Sequence, residues 1–171
     1  MSSTYKISSE DQVFIDTNIL IFLFSPSFVN SKKHQVDKYS AIFEKLVENK
    51  STLYINATVV SEFINRCMRL DFEHNFNTDK SKDFKKDYRP SSDYQKTLDI
   101  VLKQLKKFIK LAKQINDDFE SFNIISEITS NQQSDFNDLV IADTVRKNNF
   151  KLLSDDGDFK QLGINTDWYL R

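Results

Sequence analysis

Short apolar runs alternate along the chain with longer segments of helical hydrophobic periodicity. The apolar runs are too short for helices and predict strands at 13–15, 52–55, 122–125, 150–153 and 167–170. One-sided apolar spacing predicts helices at 18–24, 39–47, 58–70, 93–115 and 134–148. Strands separated by helices typically form a parallel sheet covered on both faces. We therefore predict an α/β fold with a central parallel sheet, in a single domain over residues 1–171.

Composition excludes several kinds of functional site. The chain has two glycines, Gly157 and Gly163, whereas a P-loop or a dinucleotide-binding turn needs several in one turn. Cys67 is the single cysteine, which excludes a disulfide framework or a Cys-rich zinc module and suggests a reducing compartment. The two histidines, His34 and His74, are too far apart in sequence for a His-rich site. Any metal is therefore expected to bind carboxylates, which favours Mg²⁺ or Mn²⁺.

The longest apolar run, 13–24, is interrupted by Asp16 and is too short to span a bilayer. It also lacks the basic leader of an export signal. We therefore expect a soluble, cytoplasmic protein that does not act at a membrane.

Positive charge is concentrated in the middle of the chain, although the whole sequence has 24 basic and 25 acidic residues. Segment 71–92 loses hydrophobic periodicity, so we predict a mobile loop or a projecting, partly helical arm there. Its basic residues are interleaved with Phe84 and Tyr88, a combination suited to single-stranded RNA. The candidate RNA-binding residues are Lys85, Lys86, Arg89, Lys103 and Lys107. A solvated helix face and an ordinary loop are the alternative interpretations.

Carboxylates from four separate parts of the chain are predicted to lie at one edge of the sheet. Asp16 ends the first predicted strand, whereas Glu62 and Asp138 lie in the first turns of predicted helices. Asp156 and Asp158 directly follow the strand at 150–153. Functional sites in parallel sheets form where strands end and the following helices begin. Each acid alone is also explained by helix capping or by a solvated turn, least readily Asp16, which apolar residues flank.

Four sequence motifs resemble those of PIN-domain nucleases, in the same order. VFIDTN at 13–18 is similar to the opening hydrophobic-Asp-Thr-Asn signature of that family. SEF at 61–63 resembles the second acidic motif, and NDLVIA at 137–142 resembles the third. LLSDDGDF at 152–159 is similar to the fourth motif, a strand followed by a small hydroxyl residue and then Asp-x-Asp-Phe. The resemblance extends over almost the whole chain.

This resemblance implies a three-layer α/β/α domain and a metal-dependent endoribonuclease, as in the VapC-type toxins of toxin–antitoxin pairs. It implies that the catalytic residues, which also bind Mg²⁺ or Mn²⁺, are Asp16, Glu62, Asp138 and Asp156. Asp158 is a further candidate ligand. The predicted supporting residues match polar positions of the motifs or lie one helical turn from an acid: Thr17, Asn18, Ser154 and Asp135.

Convergence of four carboxylates would raise some of their pKa values, and a divalent cation would remove that cost. Metal ions held by carboxylates can bind a phosphodiester oxygen and activate a water. Two alternatives remain open: a catalytically silent PIN-like module that binds RNA or protein, and a phosphotransfer hydrolase with Asp16 as nucleophile. Asn18 counts against the second alternative, because haloacid-dehalogenase enzymes carry a second Asp at that position.

A toxin would also require a small antitoxin that covers the acidic cleft. We expect apolar residues near the first helix to form either that surface or a homodimer interface. The candidates are Phe22, Phe24 and Phe28.

Overall fold

A computed structural model describes residues 6–26, 32–117 and 122–170. Its central sheet consists of parallel strands in the order β3-β2-β1-β4. The strands are β1 (Gln12–Ile15), β2 (Thr52–Ile55), β3 (Ala112–Gln114) and β4 (Lys151–Leu153). Because all of them run in the same direction, their carboxyl ends lie at one edge of the sheet.

Helices cover the sheet and give a three-layer α/β/α arrangement, as predicted. In chain order they are α1 (Thr17–Phe24), α2 (Lys33–Glu48), α3 (Ala57–Asp71), α4 (Ser92–Ile109), α5 (Ile124–Ser130), α6 (Phe136–Asn148) and α7 (Asp158–Gln161). Two π-helical turns, Phe72–Phe76 and Phe84–Tyr88, lie between α3 and α4. None of the described helices is both long and apolar enough to cross a membrane.

The core is centred on β1, which pairs with β2 on one side and β4 on the other, while the helices that cover the sheet bury both of its faces. Val13, Phe14 and Ile15 are completely inaccessible to solvent. A strand buried on both faces has a continuous apolar sequence instead of an alternating one, which explains why this run was easy to recognise. β1 therefore ends in a rigid, dry environment, and the residue that follows it starts α1.

Three predicted elements differ from the structure. The predicted helix 93–115 ends at Ile109, and Ala112 pairs with Leu53 as the first residue of β3. The predicted strand 122–125 is wrong, because the Asn123 side chain accepts a hydrogen bond from the Ser126 amide and starts α5 there. The predicted strand 167–170 is also wrong. Those residues include a 3₁₀ turn whose Trp168 indole donates a hydrogen bond to the Leu152 carbonyl.

Segment 71–92 is anchored to the body of the domain by a buried carboxylate. Asp71, at the end of α3, accepts hydrogen bonds from the hydroxyl groups of Tyr88 and Thr97 and from the Asn75 amide. Tyr88 is completely buried among the rings of the two π turns. The segment is therefore not a free loop at these residues. The predicted use of Tyr88 as a stacking surface for RNA is wrong, because its ring is inaccessible.

Candidate active site

Asp16 is held where β1 meets α1. One carboxylate oxygen, Oδ1, caps α1 by accepting a hydrogen bond from the Thr17 amide at 2.6 Å. The other, Oδ2, accepts the Ser154 hydroxyl at 2.6 Å. The residue is only 5% exposed, and burial raises the pKa of Asp16 to about 7. Its two hydrogen bonds oppose that rise, whereas the charges of Glu62 and Asp138 add to it.

Ser154 links the first and last parts of the chain. Besides donating to Asp16, its Oγ accepts hydrogen bonds from the Asn18 side-chain amide at 3.1 Å and from the Asp156 backbone amide at 3.0 Å. Asn18 also accepts a hydrogen bond from the Asp155 amide. The hydroxyl group therefore fixes the start of α1 against the turn that carries Asp156.

Glu62 reaches the same region from the first turns of α3. Its Oε2 accepts the Thr17 hydroxyl at 3.1 Å, and its Oε1 lies 3.5 Å from Nη1 of Arg66. Thr17 itself is buried at the start of α1. The helix that follows β2 is thus tied to the helix that follows β1 through a carboxylate.

Asp138 lies in the first turn of α6, where it is half-buried. Burial, followed by the neighbouring charge of Asp156, raises the pKa of Asp138 to about 6. The charges of Asp135, Glu62 and Asp158 act in the same direction. Asp135 precedes α6 but its side chain does not cap the helix.

The structure thus brings the four predicted catalytic carboxylates into one region. Asp138 interacts electrostatically with both Glu62 and Asp156, and Asp16 interacts with Glu62 and Asp138. Over residues 6–26, 32–117 and 122–170, no three acidic, histidine or cysteine side chains are arranged so that they could hold one ion. The donor set nevertheless suits Mg²⁺ or Mn²⁺ in its chemistry, because it consists of carboxylate oxygens whose mutual repulsion a hard cation would relieve.

Comparison with known families agrees with the fold. The PIN domain family matches residues 13–165, which is most of the chain. The protein belongs to the PIN domain family. No curated protein matches the chain significantly.

Three residues of this PIN domain that contribute to the site were missed by the sequence analysis. Tyr39 of α2 is buried and donates a hydrogen bond to Oδ1 of Asp155 at 2.5 Å. Arg66 lies one turn beyond Glu62 on α3, and this i, i+4 spacing is the signal that was overlooked. Asp117 follows β3 and accepts hydrogen bonds from the side chains of Asn56 and Thr58. It was missed because β3 had been predicted as the end of a helix.

The predicted RNA-binding residues of the PIN domain are all exposed: Lys85, Lys86, Arg89, Lys103 and Lys107. The π turn that carries Lys85 and Lys86 packs beside Asp71. Asp71 is the last residue of α3, nine residues after Glu62. Nine residues of α-helix correspond to about 13 Å along its axis. Lys85 and Lys86 therefore lie well away from the acidic site, and Phe84 beside them packs its ring edge-on against Phe72.

The predicted partner surface on α1 is also corrected. Phe22 is 8% exposed and stacks on Tyr39, and Phe24 packs against Phe43 and Phe108 in the core. The Phe22 ring is buried and the Phe24 ring is partly buried against the core, so neither is an exposed apolar side chain as predicted. Phe28, the third residue of that set, lies outside the described part of the chain.

Proposed function

We propose that this PIN domain is a metal-dependent endoribonuclease that hydrolyses RNA phosphodiester bonds with Mg²⁺ or Mn²⁺. The observation that carries the proposal is the gathering of Asp16, Glu62 and Asp138 at the carboxyl edge of the sheet, where neighbouring charges add to the rise in the pKa values of Asp16 and Asp138. Carboxylates that repel one another destabilise the folded protein. Such an arrangement is typical of a functional site, and a cation-dependent activity explains it here.

In this proposal the buried Asp16 is the central ligand. Thr17 and Ser154 fix its two oxygens, so that the carboxylate is already oriented before a cation arrives. Asp138 and Asp156 complete the ligand set from α6 and from the turn after β4. A bound divalent ion would supply Lewis acidity for the phosphodiester and lower the pKa of a water.

Glu62 has a different role in the proposal. Its Oε2 is held by the Thr17 hydroxyl, and its side chain is half-buried, so it faces both the site and the solvent. This is the position of a group that orients a water for attack on phosphorus. No histidine participates, since His34 and His74 are both exposed and are assigned no role.

The decisive experiment is cleavage of an end-labelled RNA pool by the purified protein with Mg²⁺ or Mn²⁺. We expect cleavage to disappear with EDTA and to fall by at least about a hundredfold in Asp16→Asn, the scale seen when a group that stabilises transition-state charge is removed. Asp93→Asn is a matched control, because Asp93 is an exposed acid that pairs with Lys96 on α4. Equal cleavage by Asp16→Asn and wild type would rule out the proposed site and leave a silent RNA- or protein-binding module.

The narrower proposal is a VapC-type toxin in the cytoplasm, inhibited by a small antitoxin and able to form a homodimer. It is supported by the motif resemblance and by the presence of a single, buried thiol at Cys67. Exposed apolar side chains do occur on α5 and at the start of α6: Ile125, Ile128 and Phe136. A small open reading frame next to the gene, whose product copurifies and blocks cleavage, would support this proposal. Growth unaffected by expression of the active nuclease alone would contradict it.

A further inference from the structure

A cleft beside the acidic site contains two cations that the sequence analysis did not assign to any role. It has a volume of about 260 Å³ and is lined, among others, by Asn18, Lys32, Arg66, Asp155 and Asp156. Two carboxylates and two cations therefore share one concave surface. The cleft opens at the same edge of the sheet where Asp16 lies, because Asn18 and Asp156 both bond to Ser154, the hydroxyl partner of Asp16.

Arg66 is held loosely enough to bind a second anion. Its Nη1 is 3.5 Å from Glu62, at the long end of a hydrogen bond, and its side chain is 54% exposed. The guanidinium group carries five N–H donors, so one weak contact leaves most of them available. Glu62 in turn has a separate partner in Thr17, so Arg66 can move without leaving that carboxylate unpaired.

Lys32 lies across the same cleft, immediately before α2. Within the described part of the chain, its side chain has no ion pair, so its ammonium group is free to bind an anion in the cleft. Lys38 differs in this respect, because it lies 3.9 Å from Asp155 and over the ring of Tyr39. Lys32 and Arg66 are therefore the cations of this cleft with capacity for a ligand.

We propose that Arg66 and Lys32 form a phosphate-binding subsite for the RNA backbone next to the bond that is cleaved. The inference rests on the proposed nuclease function. An RNA phosphate that approaches several carboxylates is repelled unless a cation in the same cleft compensates, and an Arg fork suits two phosphate oxygens at once. In this proposal Arg66 and Lys32 bind the RNA backbone near the reacting bond, and the distant Lys85 and Lys86 do not.

The test measures binding of a fluorescent single-stranded RNA by anisotropy in EDTA, so that no cleavage occurs. Salt is varied from about 50 to 200 mM, because each phosphate contact on a single strand contributes about 0.7 to the slope of log K against log salt. We expect Arg66→Gln and Lys32→Gln each to bind RNA several-fold more weakly, with the slope reduced by about 0.7.

Arg69→Gln is the matched control. Arg69 lies on the same helix, one turn further from the site, and its guanidinium group lies over the Phe84 ring at 5.0 Å. We expect this variant to keep the wild-type slope. Circular dichroism and thermal melting check that all three variants fold.

Wild-type slopes in both Arg66→Gln and Lys32→Gln would overturn the subsite, as would an absence of RNA binding by the wild-type protein. An equal loss of affinity in Arg69→Gln would also overturn it, because the effect would then reflect general charge. RNA binding in EDTA does not depend on cleavage. A wild type that binds through Arg66 but does not cleave with Mn²⁺ would refute the nuclease function alone, whereas cleavage with an unchanged slope in both variants would refute the subsite alone.

A second measurement separates phosphate binding from support of the acids. If Arg66 binds substrate, Arg66→Gln should raise KM with little change in kcat, since the contact exists before and during the reaction. The Mn²⁺ concentration for half-maximal activity should not rise, because removing a positive charge beside Glu62 increases the electrostatic attraction of a cation there. A rise in that concentration would instead make Arg66 a support of the carboxylates and would overturn the subsite.

Discussion

At Asp16, burial and neighbouring carboxylates oppose ionisation, whereas two hydrogen bonds favour it. Burial prevails and raises the pKa to about 7, compared with 3.8 for an ordinary Asp. The folded protein then binds this proton more tightly than the unfolded chain does. The stability that the proton provides is present below about pH 4 and is lost as the pH rises to about 7.

Replacing Asp16 with Asn should therefore change stability in a pH-dependent way. Relative to wild type, the free energy of unfolding of Asp16→Asn should increase from pH 5 to pH 8 by about 2–3 kcal/mol, because this range includes about two pH units below the folded-state pKa of about 7. The measurement is urea unfolding in EDTA at both pH values. Asp93→Asn should follow wild type at both, because Asp93 is exposed. A difference between Asp16→Asn and wild type that does not vary with pH would contradict this prediction.

Ser154 offers a second prediction at the scale of one side chain. Its buried hydroxyl serves Asp16, Asn18 and the Asp156 amide, so Ser154→Ala leaves three polar groups without this partner. We expect the free energy of unfolding to fall by about 1–3 kcal/mol. Ser51→Ala is the control, since the Ser51 hydroxyl donates a hydrogen bond to the Ser8 carbonyl. An equal fall in the free energy of unfolding of the two variants would show that the three hydrogen bonds of Ser154 stabilise the fold no more than the one of the Ser51 hydroxyl does.

At the scale of elements, α2 holds the turn that carries the last acids. Tyr39 donates to Asp155, and its pKa is raised by burial and by that carboxylate, so it remains a donor. From the other side, Asn18 of α1 binds the Asp155 amide. The turn after β4 is therefore fixed by two helices that come from the first quarter of the chain.

Tyr39→Phe should weaken metal binding more than it weakens the fold. We expect the free energy of unfolding to fall by about 1 kcal/mol, and the half-saturating Mn²⁺ concentration to rise because the turn carrying Asp156 is held less firmly. Tyr54→Phe is the control, since the Tyr54 hydroxyl binds Gln12 at the start of β1. An unchanged Mn²⁺ requirement in Tyr39→Phe would show that α2 does not position this turn.

Sequence patterns identified some elements better than others for physical reasons. The strands at 13–15 and 52–55 are apolar and end in polar residues, so they were recognised almost to the residue. The strand Ala112–Gln114 is short, half-buried or exposed, and lies at the edge of the sheet, so its sequence continues the helical pattern of α4. Segment 122–125 is apolar at three of its four positions, yet the capping side chain of Asn123 makes it the start of a helix.

For the whole molecule, topology explains why the acids were predictable and their partners were not. Parallel strands bring Asp16 and the turn after β4 to one edge whatever the surrounding sequence, so the acids could be placed from strand ends alone. Tyr39 acts through the packing of α2, and no local pattern determines which face of a helix meets a distant turn. Arg66 did have a local signal, its i, i+4 spacing from Glu62, which was overlooked. Asp117 was missed for another reason: the strand that precedes it, β3, had been predicted as part of a helix.

The same topology concentrates negative charge, so a divalent cation should stabilise the whole domain. A ligand at a hundred times its Kd adds about 2.7 kcal/mol, which corresponds to a rise in Tm of about 5–10 °C for a chain of this size. We expect Mn²⁺ to produce such a rise at pH 8 and a smaller one at pH 5, where Asp16 and Asp138 hold protons that compete with the metal, because their pKa values are raised to about 7 and about 6.

Three variants test whether the rise in Tm comes from Mn²⁺ bound at the acidic site. Asp16→Asn and Asp138→Asn should each lose most of the rise in Tm, since each removes a carboxylate from the group that attracts the ion. Asp93→Asn should keep the full rise, because Asp93 lies on the exposed side of α4. If all three variants show the wild-type rise, Mn²⁺ binds elsewhere on the domain, and the acids at the sheet edge are not its ligands.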